Sequence, residues 1–223
     1  MHIQEVCMSH HTPSPPPPPP RHLSMIRGFH LADFVTLGNA ACGTAGVFLA
    51  MLYMGSGELA DFLWAAAMAP LAFAFDWLDG RVARWRQQLS ALGRELDSLA
   101  DVISFGVAPA ALAFAAGLRG GWDVVVLIYF VCCGVSRLAR YNVTAESLSA
   151  GAAKVPYFEG TPIPTSVVLT AVLAAIAWQQ GGLTAPLPGG AWSLAGWTLH
   201  PLVLMFALSG TLMISKTLRI PKI

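Results

Sequence analysis

The stretch from Asp76 to Asp101 reads DWLDGRVARWRQQLSALGRELDSLAD and carries two pairs of aspartates. Asp76 and Asp79 are three residues apart, whereas Asp97 and Asp101 are four apart. On a helix either spacing puts both carboxylates on one face, so two helix ends that meet would bring all four together. Four close carboxylates repel one another strongly unless cations lie among them. We therefore interpret the stretch as a divalent-metal site, where hard oxygen ligands favour magnesium, manganese or calcium over zinc.

The residues between the two pairs suit an anionic ligand. Gly80 and Gly93 have no side chain to block the approach of a nucleotide or phosphate to the backbone. Arg84 can pair with phosphate oxygens in a forked geometry. The alternative is a solvated cytoplasmic loop, in which charge runs are common. The acids, however, sit at the ends of apolar segments, where uncompensated desolvation is costly, and this favours a site for pyrophosphate chemistry.

The composition around this stretch is that of a membrane protein. Of the 223 residues, 55% are hydrophobic and 11% are charged, and the mean hydropathy is +0.59. Soluble domains usually carry about 25% charged residues, so the composition argues against an ordinary water-soluble domain. The formal net charge of +1 gives no bulk attraction to nucleic acid, and no nucleic-acid partner is expected.

Apolar segments long enough to cross a bilayer, about 20 residues each, flank the aspartates. Four of them are Phe34–Gly57, Leu59–Asp79, Leu99–Leu118 and Trp122–Arg140. No charged residue lies between Glu159 and Lys216, which leaves room for two more segments with a break at Gly181–Gly190. We predict an all-α integral membrane protein with six transmembrane helices in residues 27–223. Residues 1–26 are predicted to form a disordered, proline-rich arm.

The distribution of basic residues predicts the orientation. Twelve of the 13 lysines and arginines lie in the N-terminal region, in the C-terminal tail or in connections on the same side of the membrane. Only Arg119 lies on the other side. Because such residues accumulate in the cytoplasm, we expect both termini and the aspartates to face the cytoplasm, in the cell (inner) membrane. Trp122, Trp192 and Trp197 fall near the opposite helix ends and indicate interfacial anchors.

The aspartate stretch also matches a known spacing, Asp-x2-Asp-Gly-x2-Ala-Arg-x8-Gly-x3-Asp-x3-Asp. All eight defined positions are present: Asp76, Asp79, Gly80, Ala83, Arg84, Gly93, Asp97 and Asp101. In this the chain resembles the CDP-alcohol phosphotransferases. The resemblance implies their six-helix membrane fold, usually a homodimer, and the transfer of a phosphatidyl or related group from a CDP-linked donor to an alcohol, with release of CMP.

The same resemblance implies a role for each residue. The four aspartates would surround two divalent ions, and Asp101 would act as the base. The residues expected to contact the CDP portion are Asp79, Gly80, Ala83, Arg84 and Gly93, with Ser90 near phosphate.

Four further segments narrow the resemblance. They are Thr36–Gly43 (TLGNAACG), Asp97–Pro109 (DSLADVISFGVAP), Ser136–Asn142 (SRLARYN) and Phe158–Pro164 (FEGTPIP). All four are similar to the membrane-integral phosphatidylserine synthases of the family, although Thr161 stands where leucine is commoner. This implies CDP-diacylglycerol as donor and L-serine as acceptor.

An acceptor site for serine must match its carboxylate with a cation that has directional donors. Arg137 and Arg140 lie three residues apart at the inner end of the fourth segment and are candidates, as is Asn39 in the first. The alternatives are another acceptor, such as glycerol 3-phosphate or inositol, or a different class of protein, an ion or proton transporter. A transporter would place ionisable groups near the bilayer midplane, often in two related repeats, and the sequence has one set at one face.

Overall fold

The computed structural model describes residues 31–86, 91–149, 157–182, 186–215 and 219–221, so the predicted proline-rich arm lies outside the described residues. The α-helices are α1 (Leu31–Ser56), α2 (Leu59–Arg86), α3 (Ala91–Asp101), α4 (Ala108–Ala115), α5 (Gly121–Ser149), α6 (Val167–Gln180) and α7 (Leu204–Ile214). A π-helix covers Val102–Val107, and 3-10 helices cover Ile163–Ser166 and Pro201–Val203. The strands are β1 (Tyr157–Glu159), β2 (Trp192–Leu194), β3 (Trp197–Leu199) and β4 (Arg219–Pro221).

Five helical segments are long and apolar enough to cross a membrane. They are Ala32–Ser56, Leu59–Val82, Leu92–Ala115, Gly121–Thr144 and Ile163–Gln180. The third runs without a break through α3, the π-helix and α4. A sixth apolar segment, Pro201–Ile214, is shorter. The prediction of an all-α membrane fold with six apolar helical segments is confirmed.

Three of the predicted helix ends were wrong. The second helix continues past Asp79 to Arg86, the third span begins at Leu92 rather than Leu99, and α5 continues past Arg140 to Ser149. The aspartates are therefore inside helices and not at their ends. The change from apolar to polar sequence marks where a helix meets a polar environment, but the helix itself continues because it satisfies its own backbone groups.

Two small antiparallel sheets were not predicted. Strands β2 and β3 form a hairpin whose turn holds Ala195 at φ 50° and Gly196 at φ 81°, as a primed turn requires. Strand β1 pairs with β4 near the C-terminus. The break expected after the fifth segment is present, because α6 ends at Gly181 in the left-handed conformation.

Aromatic side chains join neighbouring helices in the core. Tyr53 of α1 meets Phe62 of α2 edge to face, with ring centroids 5.0 Å apart. Phe130 of α5 meets Phe206 of α7 in the same manner at 5.3 Å. Phe62, Phe130 and Phe206 are fully buried, so these pairs fix the outer helices against the bundle.

One face of α1 carries the residues that bring it close to the third span. Thr36, Asn39 and Gly43 are three and four residues apart and so share that face. The Ser104 hydroxyl in the π-helix donates to the Asn39 carbonyl at 2.8 Å. A Cβ at Gly43 would lie 2.4 Å from Ser104 Oγ and 2.6 Å from Ser104 Cα. Only glycine permits this approach.

The π-helix lies where the α-helical pattern is interrupted. Pro109 follows it and has no N–H to donate to the carbonyl four residues earlier. The Ala108 N–H donates to the Ile103 carbonyl, five residues back. This wider turn begins directly after Asp101, and π-segments are frequent at functional sites.

We predict that Gly43→Ala destabilises the protein by about 1–3 kcal/mol, because the methyl group overlaps the Ser104 backbone. The control is Gly55→Ala in the same helix, where a Cβ meets nothing within 4 Å. Thermal unfolding in detergent measures both. Equal unfolding temperatures for the two variants would show that α1 and the π-helix are not packed as closely as described.

Candidate active site

Three of the four aspartates form one group. Carboxylate oxygens of Asp76 from α2 and of Asp97 and Asp101 from α3 all lie within 4.8 Å of one another. Asp101 is buried and the other two are half-buried. Among the described residues, this is the one group of three or more acidic, histidine or cysteine side chains placed to hold a metal ion.

Asp79 lies beside this group but has other partners. It is buried, and its Oδ2 accepts a hydrogen bond from Thr36 Oγ1 of α1 at 2.7 Å. The backbone N–H of Gly80 also donates to its carboxylate. The charge of Asp79 acts on Asp76, Asp97 and Asp101. The four carboxylates therefore form one repulsive set, as the spacing predicted, with Asp79 held by α1.

Asn39 holds the innermost carboxylate from the same face of α1. Its Nδ2 donates to Asp101 Oδ1 at 3.1 Å, and the residue is fully buried. Its own Oδ1 has no hydrogen-bond partner among the described residues, and the same is true of the buried Asp97 Oδ1. Unpaired buried acceptors are uncommon in folded proteins.

The oxygen atoms of the aspartate group suit a divalent cation. The group consists of carboxylate oxygens only, from Asp76, Asp97 and Asp101. One of them, the buried Asp97 Oδ1, has no hydrogen-bond partner among the described residues. Hard cations such as Mg²⁺, Mn²⁺ and Ca²⁺ bind oxygen ligands of this kind. Positive charge would also remove the mutual repulsion. The donor set therefore fits such an ion.

The structure describes only part of the expected CDP-contacting set. Gly80 is half-buried on α2, and a Cβ there would meet nothing within 4 Å, so the backbone is open to a ligand. Gly93 is half-buried on α3, one turn before Asp97. Ala83 and Arg84 belong to the last turns of α2, but their side chains are outside the described residues, and Ser90 lies outside them altogether.

The two candidate acceptor arginines differ in their surroundings. Arg137 of α5 is half-buried and close enough to Asp101 for their charges to interact. Its buried Nε has no hydrogen-bond partner among the described residues. Arg140 is exposed. The structure therefore brings Arg137 to the aspartates and leaves Arg140 at the surface.

Sequence reasoning missed three polar residues of this region. Thr36 holds Asp79, Ser104 binds the Asn39 carbonyl, and Ser98 of α3 exchanges hydrogen bonds of 3.0 and 3.2 Å with Asn142 of α5. The helical spacing of Thr36 with Asn39 was a signal that could have identified the first. No local pattern indicates the Ser98–Asn142 contact, because it joins helices distant in sequence.

A bundle of apolar helices gathers carboxylates near one end, beside an open glycine and a half-buried arginine. This is the arrangement expected of a membrane protein that binds a cation and an anionic ligand. The profile of the family described as CDP-alcohol phosphatidyltransferase matches residues 29–209. The chain belongs to the CDP-alcohol phosphatidyltransferase family. The match includes all four aspartates, and the family resemblance inferred from their spacing is confirmed.

Three proteins similar to this chain share the same name. The chain is 42% identical to a Saccharomyces cerevisiae protein named CDP-diacylglycerol–serine O-phosphatidyltransferase, over 90% of this chain and 74% of the yeast protein. It is 42% identical to a Mycobacterium tuberculosis protein of that name, over 60% of this chain and 45% of the relative. A Methanocaldococcus jannaschii protein, again of that name, is 38% identical over 56% of this chain and 58% of its own length.

We predict that Thr36→Val destabilises the protein by about 1–3 kcal/mol, because a buried carboxylate at Asp79 loses a donor. Thr36→Ser keeps the hydroxyl and should recover most of the loss. Thr44→Val is the matched control, since the Thr44 hydroxyl donates to the Ala40 carbonyl within α1. Unfolding temperatures measured with a chelator present provide the comparison. If Thr36→Val and Thr44→Val unfold alike, Thr36 does not hold Asp79.

Proposed function

We propose that this chain is a CDP-diacylglycerol–serine O-phosphatidyltransferase, which transfers a phosphatidyl group to the L-serine hydroxyl and releases CMP. The observation that carries the proposal is the group formed by Asp76, Asp97 and Asp101, at the positions of the family spacing. The names of the similar proteins support serine as the acceptor. Phosphatidylserine and CMP are the products.

Asp101 is the proposed base. The serine hydroxyl is a weak nucleophile at neutral pH and needs a positioned proton acceptor. Asn39 holds Asp101 Oδ1 by its amide hydrogen, which leaves Oδ2 to take the hydroxyl proton. The serine oxygen then forms a bond to the lipid-linked β-phosphorus. The bond from that phosphorus to the bridging pyrophosphate oxygen breaks, and CMP leaves with the electron pair.

The four aspartates are the proposed metal ligands. Asp76, Asp97 and Asp101 form the group, and Asp79 completes the set from a position fixed by Thr36. We assign two ions, Mg²⁺ or Mn²⁺ in preference to Ca²⁺. Divalent cations at these carboxylates supply positive charge that stabilises the pyrophosphate and the departing CMP.

The CDP portion lies, in this proposal, along the ends of α2 and α3 next to the aspartates. The open Gly80 backbone supports it, since a ligand can approach there without displacing a side chain. Arg84 pairs with phosphate in a forked geometry. The remaining contacts that we propose are Asp79, Ala83, Ser90 and Gly93.

Arg137 is the proposed partner of the serine carboxylate. It lies near Asp101, so a serine bound between them presents its carboxylate to the guanidinium and its hydroxyl to the base. The unpaired Nε is a donor that the carboxylate can satisfy. Arg140, being exposed, is the weaker candidate. Glycerol 3-phosphate and inositol are the alternative acceptors.

We propose a homodimer in the cell (inner) membrane with the aspartates and both termini on the cytoplasmic side. The expected orientation follows from the placement of basic residues. An open, apolar groove of about 370 Å³ lies between the third span and α5, and we propose it as the place where a second copy packs. Val107, Phe114 and Ile128 contribute to its lining, and a second copy would cover them.

We predict that the protein in lipid vesicles with CDP-diacylglycerol releases CMP when L-serine is added, and far less with glycerol 3-phosphate or inositol. Asp101→Asn should lower turnover at least about 10²-fold, because it removes the base at nearly constant size. Asp61→Asn, at the other end of α2, is the control and should remain active. Release with glycerol 3-phosphate but not with serine would reject the acceptor and keep the family chemistry. Undiminished turnover by Asp101→Asn would reject the base.

We predict that Arg137→Lys raises KM for serine about 10- to 100-fold. The reason is the loss of a charge-assisted hydrogen bond to the serine carboxylate, which contributes about 1.5–3 kcal/mol. KM for CDP-diacylglycerol should change much less. Arg140→Lys is the matched control three residues along α5. Steady-state kinetics with each substrate varied separately measures the effect. Equal increases in both KM values would assign Arg137 to phosphate or to folding.

A further inference from the structure

The β2–β3 hairpin has one apolar and one polar face. Directly opposed residues pair as Trp192 with Leu199 and Leu194 with Trp197, and the pair between them is Ser193 with Thr198. Because successive side chains alternate across a strand, the four large apolar side chains share one face. The two hydroxyl residues lie on the other.

The apolar face is largely uncovered. Trp192, Leu194 and Trp197 are 57%, 56% and 53% exposed. Exposed apolar side chains scattered singly need no explanation, but contiguous ones mark an interaction surface. The two strands of this hairpin have six residues in all, and three exposed, large apolar side chains lie on one of its faces.

The hairpin is fixed to the start of α5 by polar contacts. Fully buried Asp123 accepts hydrogen bonds from the His200 backbone N–H at 2.8 Å and from the Gly120 N–H at 2.8 Å. Its Oδ2 also lies 2.6 Å from His200 Nδ1. Trp122 Nε1 donates to the Leu194 carbonyl at 2.9 Å. The side that carries the exposed residues is therefore held in one orientation relative to the bundle.

Close packing of backbone on backbone reinforces this attachment. A Cβ at Gly120 would lie 2.2 Å from the Thr198 carbonyl oxygen, and one at Gly121 would lie 2.6 Å from the Trp197 ring. The Trp122 and Trp197 rings are 5.6 Å apart. Part of the Trp197 ring is thus covered by α5, although the residue stays about as exposed as Trp192 and Leu194.

The hairpin lies at the opposite end of the bundle from the aspartates. Arg137, which is near Asp101, follows Gly121 by sixteen residues of α5, a distance of about 24 Å along a helix axis. The connection from Gly181 to His200, which contains the hairpin, has no lysine, arginine, aspartate or glutamate. Charged side chains are ordinarily found on surfaces that face water, so their absence from this connection favours a less polar surrounding.

We propose that the apolar face of the hairpin lies in the headgroup–acyl boundary of the leaflet opposite the aspartates, as a β-element of the membrane interface. Tryptophan suits this boundary, because one edge of its ring is apolar and its N–H is polar. The hairpin pairs the inward-pointing backbone groups of its two strands, and Trp122 Nε1 donates to the Leu194 carbonyl, which lowers the desolvation penalty of leaving water. The hairpin is attached at the start of α5, where a segment long and apolar enough to cross a membrane begins. This inference does not depend on phosphatidyl transfer.

Two single-cysteine positions test the proposal. Leu194→Cys and Ser193→Cys are neighbours on opposite faces of β2, and both residues are exposed. A background with Cys7→Ser and Cys132→Ala retains Cys42 and Cys133, which are buried thiols. Each variant is labelled with a polarity-sensitive fluorophore and placed in phosphatidylcholine–phosphatidylglycerol nanodiscs, which leave both membrane faces accessible.

We expect the label at position 194 to emit at shorter wavelength than that at 193 and to be quenched several times more by lipids with a shallow nitroxide. Iodide in the buffer should quench the label at 193 several times more than that at 194. Equal quenching of both labels by iodide would overturn the proposal by placing the whole hairpin in water. Protection of position 194 from both quenchers would also overturn it, because protein and not lipid would then cover the face.

Discussion

The structure depends on how the bundle tolerates four like charges on two of its helices, close to one end of the bundle. Each aspartate repels the others, and burial removes the water that would screen them. Helix α1 supplies neutral hydrogen-bond donors to two of these carboxylates. Thr36 donates to Asp79 of α2, and Asn39 donates to Asp101 of α3. One face of one helix therefore sets the distance between the two pairs. Gly43 lets that face come close enough by leaving room for Ser104.

The helix class, the number of apolar segments and the convergence of the aspartates could be predicted from the sequence. Aspartates three and four residues apart point to one face wherever the helix begins, so the error in the ends of α2 and α3 did not disturb the site. The hydrogen bonds that hold Asp79 and Asp101 could not be predicted. They join helices whose relative rotation depends on packing at Gly43 and Ser104, and no local pattern records that rotation.

The β2–β3 hairpin and the π-helix were not predicted, because a short apolar run does not distinguish between strand, α-helix and π-helix. Trp192–Leu199 contains alternating apolar and polar residues around Ala195 and Gly196, but it follows the predicted break at Gly181–Gly190, and its tryptophans were interpreted as anchors near helix ends. The π-helix at Val102–Val107 lies within an unbroken apolar run, where one extra residue per turn leaves no trace in the hydropathy. Polar contacts distant in sequence, such as Asp123 with His200, are likewise set by tertiary structure. Among the described residues the acids with candidate chemistry form one group, which favours the enzyme over a transporter with two related repeats.

If the aspartate group binds a divalent cation, the purified protein should bind Mn²⁺ through these carboxylates. Electron paramagnetic resonance measures free Mn²⁺ during titration, in the absence of nucleotide and of acceptor. We expect Asp97→Asn to weaken Mn²⁺ binding at least about tenfold, because it removes a carboxylate oxygen from the group. Asp61→Asn, far along α2, should leave the affinity unchanged. Equal Mn²⁺ affinity for Asp97→Asn and the unaltered protein would show that the aspartate group is not the cation site.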